Sequence, residues 1–135
     1  MIRKGRFARW NGREYEICSR NKQIFLSATN PEELNNGFIQ MGGSNSQLVR
    51  AIELNELEDA YEIVPFTILR GYRFAIEGID SNSGMVKLVT NNAFASKRVQ
   101  VHPYGIDAYM IELPINEITI EEDRIPILGF ENRFV

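Results

Sequence analysis

Two stretches of the chain decide its fold, FARWNGREYEI at residues 7–17 and FTILRGYRFAI at residues 66–76. Their offset is 59 throughout, and the glycine and the large apolar residues of one lie over those of the other. A second anchor, IEL at residues 52–54, recurs at residues 111–113 with the same offset of 59. Such self-similarity predicts two copies of one structural unit.

Further matches extend the repeat along the chain. Residues 24–30 lie over residues 86–92 at an offset of 62, and Asn55-Glu-Leu57 lies over Asn116-Glu-Ile118 at an offset of 61. We attribute the change of offset after the second anchor to an insertion of Pro114-Ile115. The order of the matches is preserved, so the pattern predicts a duplication that spans most of the chain.

Each copy has the residue pattern of strands. Tyr15 and Ile17, then Ile24 and Leu26, alternate with polar neighbours on either side of a turn at residues 19–22. This alternation predicts a hairpin with one buried face. Across both copies, the matched apolar positions predict a core made of Tyr15, Ile17, Leu26, Ile52, Leu54, Phe74, Ile76, Leu88, Ile111 and Leu113.

A short helical turn follows each hairpin. Asn30 suits the N-cap position, Pro31 suits the first helical position, and Asn92 repeats the role of Asn30. A hairpin, a short helix and further strands in about 60 residues are typical of an SH3-like small barrel. We therefore predict a mainly β fold with short helices. Two SH3-like units, at residues 1–64 and at residues 65–135 with the C-terminal tail, should pack as a pseudo-twofold body.

The composition is that of an ordinary globular protein, with 44% hydrophobic and 24% charged residues. Cys18 is the only cysteine, which excludes an intramolecular disulfide and is typical of a reducing compartment. The sequence shows no apolar signal segment, and no apolar run approaches the ~18 residues of a membrane span. We expect a cytoplasmic protein that does not act at a membrane.

The charges are unevenly distributed. Residues 1–22 hold seven basic and two acidic side chains, a net charge of +5, so the remainder carries −8 of the total of −3. We call the seven basic residues the basic strip. An acidic remainder suits a basic partner, whereas the strip could contact nucleic acid. The strip comprises Arg3, Lys4, Arg6, Arg9, Arg13, Arg20 and Lys22.

The residue types needed for catalysis are scarce. Cys18 and the only histidine, His102, could supply a nucleophile and its base, but a free cysteine in a strand is more often a small buried hydrophobe. Zinc usually takes four ligands, of which the chain offers one Cys and one His. Gly42-Gly-Ser44 lacks the lysine of a phosphate-binding loop. We therefore predict no enzymatic activity, no catalytic residue, no metal site and no cofactor.

The chain carries Gly12-x-x-Tyr-x-Ile17, Thr29-Asn-Pro-Glu-Glu-Leu-x-x-Gly-Phe38 and Asn92-x-x-Ala-x-Lys97. With the repeat of strands around them, these segments resemble small two-repeat proteins of Gram-positive bacteria. Some of these look like immunity proteins of polymorphic toxin systems, which bind a cognate secreted toxin in the cytoplasm. The resemblance implies a non-enzymatic bacterial inhibitor that binds its toxin directly.

A toxin that cleaves nucleic acid needs a basic cleft, so its inhibitor gains specificity and association rate from an acidic face. Carboxylates gather at the matched ends of the two repeats. We predict that at least one of these two groups contacts the partner. The first acidic cluster is Glu56, Glu58, Asp59 and Glu62, and the second is Glu117, Glu121, Glu122 and Asp123. The loops at residues 42–46 and 102–105 are the next candidates.

Three functions remain open at this point. The first is the toxin-neutralising immunity protein. The second is a nucleic-acid-binding tandem small barrel that uses the basic strip, although the acidic remainder makes this partner unlikely on charge alone. The third is a regulatory or scaffolding module that binds a peptide or a small ligand between the copies.

Overall fold

The structure is a computed structural model that describes residues 2–40 and 47–132. Within these residues strands predominate, which confirms the prediction of a mainly β protein. The described residues form eleven strands: β1 Gly5–Trp10, β2 Arg13–Arg20, β3 Gln23–Ala28, β4 Ile39–Gln40, β5 Leu48–Ile52, β6 Asp59–Leu69, β7 Tyr72–Ile79, β8 Met85–Thr90, β9 His102–Pro103, β10 Tyr109–Pro114 and β11 Glu121–Pro126.

The helices of the described chain are short 3-10 helices, namely η1 Pro31–Asn36, η2 Leu54–Glu56, η3 Ala93–Lys97, η4 Ile115–Glu117 and η5 Phe130–Asn132. The predicted caps are present. The side chain of Asn30 accepts a hydrogen bond from the Glu32 amide at 3.0 Å, and that of Asn92 accepts one from the Phe94 amide at 3.0 Å. No described helix is long and apolar enough to cross a membrane.

The chain divides into two compact units. The first unit comprises Lys4–Ile63 and the chain from Arg124 onward, and the second comprises Val64–Asp123 and the chain up to Arg3. Strand β6 therefore contributes its first half to one unit and its second half to the other.

The two units repeat one order of antiparallel strands. In the first unit the order is β4-β5-β3-β2-β1-β6, and in the second it is β9-β10-β8-β7-β6, with β11 also paired to β6. In both units a 3-10 helix precedes the last strand, which pairs back to the first strand of its unit. The matched apolar positions of the sequence thus correspond to matched strands.

The strand registers correct one of the sequence matches. Leu26 pairs with Arg50, and Leu88 pairs with Ile111, so Arg50 corresponds to Ile111 at an offset of 61. The match of residues 52–54 to residues 111–113 was therefore wrong by two positions, and no insertion at residue 114 is needed. Side chains alternate with a period of two along a strand, so a shift of two leaves the same face buried and the pattern unchanged.

Six of the ten predicted core residues are buried, namely Tyr15, Leu26, Ile52, Phe74, Ile76 and Leu88. Ile17 packs at the edge of the first core, and Ile111 and Leu113 at the edge of the second. Leu54 is 46% exposed and was wrongly placed in the core. It begins η2 and corresponds to Ile115, which begins η4, instead of continuing the strand.

The first unit places polar groups where the second unit is apolar. Glu33 is buried in η1 and accepts a hydrogen bond from Asn36 Nδ2 at 2.7 Å, whereas its counterpart in the second unit is Ala95. The guanidinium of Arg50, the counterpart of Ile111, lies 4.5 Å from the centre of the Trp10 ring. Because the second unit forms the same fold without these charges, they are not required by the fold itself.

Candidate binding face

The first acidic cluster contributes mainly to local structure. Glu56 Oε2 accepts a hydrogen bond from the Glu53 amide at 2.8 Å and completes a capping box on η2. Glu58 Oε1 accepts a hydrogen bond from the Gly12 amide at 2.6 Å, in the turn between β1 and β2. Charge-assisted bonds of this kind stabilise the turn and the helix end that they reach.

The other two residues of the first acidic cluster lie opposite arginines of the neighbouring strand. Asp59 lies opposite Arg9, and Glu62 lies opposite Arg6, in the pairing of β6 with β1. Opposite charges on directly facing positions attract each other and partly cancel. This cluster therefore presents less free negative charge than its sequence indicates.

The second acidic cluster is half paired. Glu122 accepts two hydrogen bonds from Arg3, at 2.8 and 3.2 Å, and Asp123 accepts one from Arg73 Nη2 at 2.5 Å. Glu117 and Glu121 are exposed and have no hydrogen bond or ion pair within the described chain. Of the eight predicted contact residues, these two remain the most available to a partner.

Much of the basic strip is neutralised within the fold. Arg3 is paired with Glu122, and Arg13 Nη1 lies 3.7 Å from Glu33 Oε2. Arg6 and Arg9 face carboxylates across the ladders of β1. Arginines that are already paired with carboxylates of the protein are less available to bind the phosphates of a nucleic acid.

We therefore expect little binding of nucleic acid at physiological salt. Neutralising phosphates releases counterions, so real binding would fall steeply as salt rises. Fluorescence anisotropy of a labelled single-stranded RNA, measured at about 50 and about 150 mM salt, tests this expectation. A sub-micromolar complex that weakens with salt would contradict it and would favour the nucleic-acid-binding alternative.

The sequence candidates for catalysis lie in different units. Cys18 is on β2 of the first unit and His102 on β9 of the second. Cys18 is exposed, so the expectation of a buried cysteine was wrong. Tyr15 and Ile17 point to the core, and strand alternation turns Cys18 outward.

Within the described residues no group of three or more His, Cys, Asp or Glu could hold a metal ion. The loop at residues 42–46 lies outside the described residues.

The second unit has a sheet face, opposite its core, that carries partly exposed apolar side chains: Ala75 is exposed, and Val89 and Met110 are half-buried. The core side chains of β7, β8 and β10 alternate with a second set, which we call the outer face. In it Ala75 pairs with Val89 and Val89 with Met110, so a row of apolar side chains crosses three strands. The neighbouring row pairs Lys87 with Glu112. The outer face comprises Arg73, Ala75, Gly78, Met85, Lys87, Val89, Met110 and Glu112.

Small residues leave two open depressions in the outer face. The first, of about 470 Å³, lies over Ala75 and Ala108 and extends to Arg73 and Asn92. The second, of about 410 Å³, lies over Gly78, where a β-bulge after Ile76 interrupts the pairing of β7 with β8. We call the second one the Gly78 depression. It is lined by Glu77, Gly78, Ile79, Asp80, Met85, Lys87, Met110 and Glu112.

A polar cluster formed by Glu77, Lys87 and Tyr104 holds the loop after β9 against this face. Lys87 Nζ donates a hydrogen bond to the Tyr104 hydroxyl at 2.8 Å, and that hydroxyl donates one to Glu77 Oε1 at 3.1 Å. The Lys87 ammonium also lies 4.1 Å from the centre of the Tyr104 ring. The hydrogen bond with Tyr104, aided by the charge of Glu77, raises the pKa of Lys87, so it stays protonated. Tyr104 belongs to the loop at residues 102–105 that the sequence offered as a later candidate.

Sequence reasoning missed the outer face because its residues are ordinary strand residues. One signal was available. In β8, MVKLVT, Val86 and Leu88 point to the core while Met85 and Val89 point outward, so both faces of the strand carry apolar side chains. A strand with one solvated face would alternate apolar and polar residues instead.

The chain belongs to a family described as "Uncharacterised conserved protein UCP033725", whose model matches residues 2–129. No curated protein and no solved structure matches the chain. The matched range covers residues of both units. The relation to immunity proteins stays a prediction.

Proposed function

We propose that this protein is a non-enzymatic binding protein, and that it binds a protein partner through the outer face of the second unit. The observation that carries the proposal is the row of apolar side chains, Ala75, Val89 and Met110, across a solvent-facing sheet with two open depressions. Exposed apolar surface rimmed by charges is typical of sites of protein association.

The charge of the second unit favours a basic partner. The unit holds eight carboxylates against six arginines and lysines. Glu117 and Glu121 are exposed without an ion pair in the described chain, and Glu112 on the outer face is exposed opposite Lys87. Such a field steers a basic protein and repels nucleic acid.

The partner that we propose is a cognate secreted toxin, the class that the resemblance in sequence implies. A toxin acting on nucleic acid would present a basic cleft that matches this acidic unit. In that role the protein would be a cytoplasmic immunity protein. We also propose that each unit is a small barrel of the SH3-like kind, which the 3-10 helix before the returning last strand supports.

The direct test mixes the purified protein with the product of the reading frame next to its gene. Titration calorimetry should show a one-to-one complex with a Kd of about 1 μM or tighter, and the toxin activity of that product should be lost. The absence of heat together with undiminished toxin activity would contradict the proposed function.

Reversal of the two free charges of the second acidic cluster should slow association. The double variant Glu117→Lys and Glu121→Lys removes the negative field without breaking any described contact, so we expect a several-fold lower association rate at low salt. Glu16→Lys with Glu32→Lys applies the same change of charge to the first unit as a control. Stopped-flow fluorescence measures both. Equal rates for the two double variants would remove Glu117 and Glu121 from the contact.

A further inference from the structure

We infer that the Gly78 depression receives a lysine or arginine side chain of the partner, an inference that rests on the proposed function. Three features of the depression support it: an apolar floor, a rim with excess negative charge, and a glycine whose missing side chain leaves the depression open.

The floor suits the aliphatic part of a long basic side chain. Met85 and Met110 line the depression from β8 and β10. Lysine and arginine lay their methylene groups along such apolar surface and keep the charged end in water. Methionine adapts its shape to different occupants.

The rim supplies the complementary charge. Three carboxylates, Glu77, Asp80 and Glu112, line the depression with one ammonium, Lys87. The ammonium lies 3.6 Å from Glu77 and is compensated by it. Asp80 uses one oxygen to cap its own turn, accepting a hydrogen bond from the Asn82 amide at 2.9 Å. Glu112 also lies opposite Lys87 in the strand pairing. Three carboxylates against one ammonium still leave the rim negative, which favours a cation as the occupant.

The glycine is the third feature. A Cβ at position 78 would meet no atom within 4 Å, and Gly78 does not adopt the left-handed conformation that requires glycine. Gly78 follows the β-bulge after Ile76. Glycine within a strand often marks such a bulge or a place where another molecule approaches closely. Its missing side chain is what keeps the depression open.

A titration with small probes tests the site without the natural partner. Amide resonances of the labelled full chain are followed by NMR while N-acetyl-lysine methylamide or N-acetyl-arginine methylamide is added. We expect saturable shifts confined to Gly78, Asp80, Lys87 and Glu112. N-acetyl-norleucine methylamide, which has the aliphatic chain without the charge, should shift them far less. Shifts spread evenly over exposed carboxylates, or equal shifts with norleucine, would overturn the inference.

Substitutions then close the depression. Gly78→Leu places its Cβ in open space and directs a bulky side chain into the depression, so it should abolish the probe shifts. It should also weaken binding of the partner about tenfold or more, as the loss of a central anchor does. Cys18→Leu places a leucine at the matched position of the first unit, where Cys18 pairs with Phe25 as Gly78 pairs with Lys87, and should change neither. Unchanged partner affinity in Gly78→Leu would overturn the inference.

The two proposals fail separately. If the Gly78→Leu variant neutralises the partner as well as the native chain does, the protein binds its partner but the depression takes no part in the binding. A chain that binds the lysine and arginine probes at the predicted residues, but no product of the neighbouring frame, keeps the site and loses the proposed function.

Discussion

Truncation of Phe74 to alanine should destabilise the second unit by about 3–5 kcal/mol. Phe74 has 0% of its surface exposed and packs in the core with Ile76, Val86, Leu88 and Ala95. The loss combines the transfer free energy of the aromatic ring with the cost of the cavity that it leaves. Urea unfolding followed by circular dichroism measures the effect as a lower midpoint with an unchanged slope.

Two leucines provide the matched control for this prediction. Leu88 is fully buried, and Leu54 is 46% exposed at the start of η2. Leu88→Ala should cost about 2–5 kcal/mol, whereas Leu54→Ala should cost less than about 1 kcal/mol. Equal costs for the two substitutions would contradict the placement of the core.

Stability should also fall at alkaline pH through Tyr61. Burial raises the pKa of Tyr61 from 10.0 to about 12, and the carboxylate of Glu14, which accepts its hydrogen bond, adds to the rise. The raised pKa means that the unfolded chain loses the proton first. The contribution is therefore fully present below pH 10 and is lost as the pH rises toward 12, about 2–3 kcal/mol in all.

The variant Tyr61→Phe isolates this effect. The free energy of unfolding, measured with urea at about pH 9 and about pH 12, should fall in the native chain as the pH rises. In Tyr61→Phe this fall should be smaller by about 2–3 kcal/mol. Other groups that titrate in this range, including Tyr15, whose pKa burial also raises, are common to both proteins. The same pH dependence in both would contradict the assignment to Tyr61.

The strands and the helix caps could be predicted because they depend on local sequence. Asn30 and Asn92 cap their helices as the pattern indicates, and the hairpin around residues 19–22 lies between β2 and β3. The second anchor was misaligned because a shift of two residues preserves the buried face. Only the hydrogen-bonded register of neighbouring strands distinguishes the two alignments.

The site was harder to predict because charge pairing depends on contacts distant in sequence. Glu122 meets Arg3 across 119 residues, and Glu58 meets Gly12 across 46. A count of carboxylates therefore overestimated the free charge of both acidic clusters. The outer face depends on small residues, Ala75 and Gly78, whose significance appears only when the neighbouring strands are in place.

The most direct test of the binding role is to map the partner on the labelled chain by NMR. With the product of the neighbouring reading frame bound, the largest shifts should occur on the outer face of the second unit, at Ala75, Gly78, Lys87, Val89 and Met110. The exposed face of β2 and β3 in the first unit should change little. Shifts confined to the first unit, with the outer face unperturbed, would contradict the proposal.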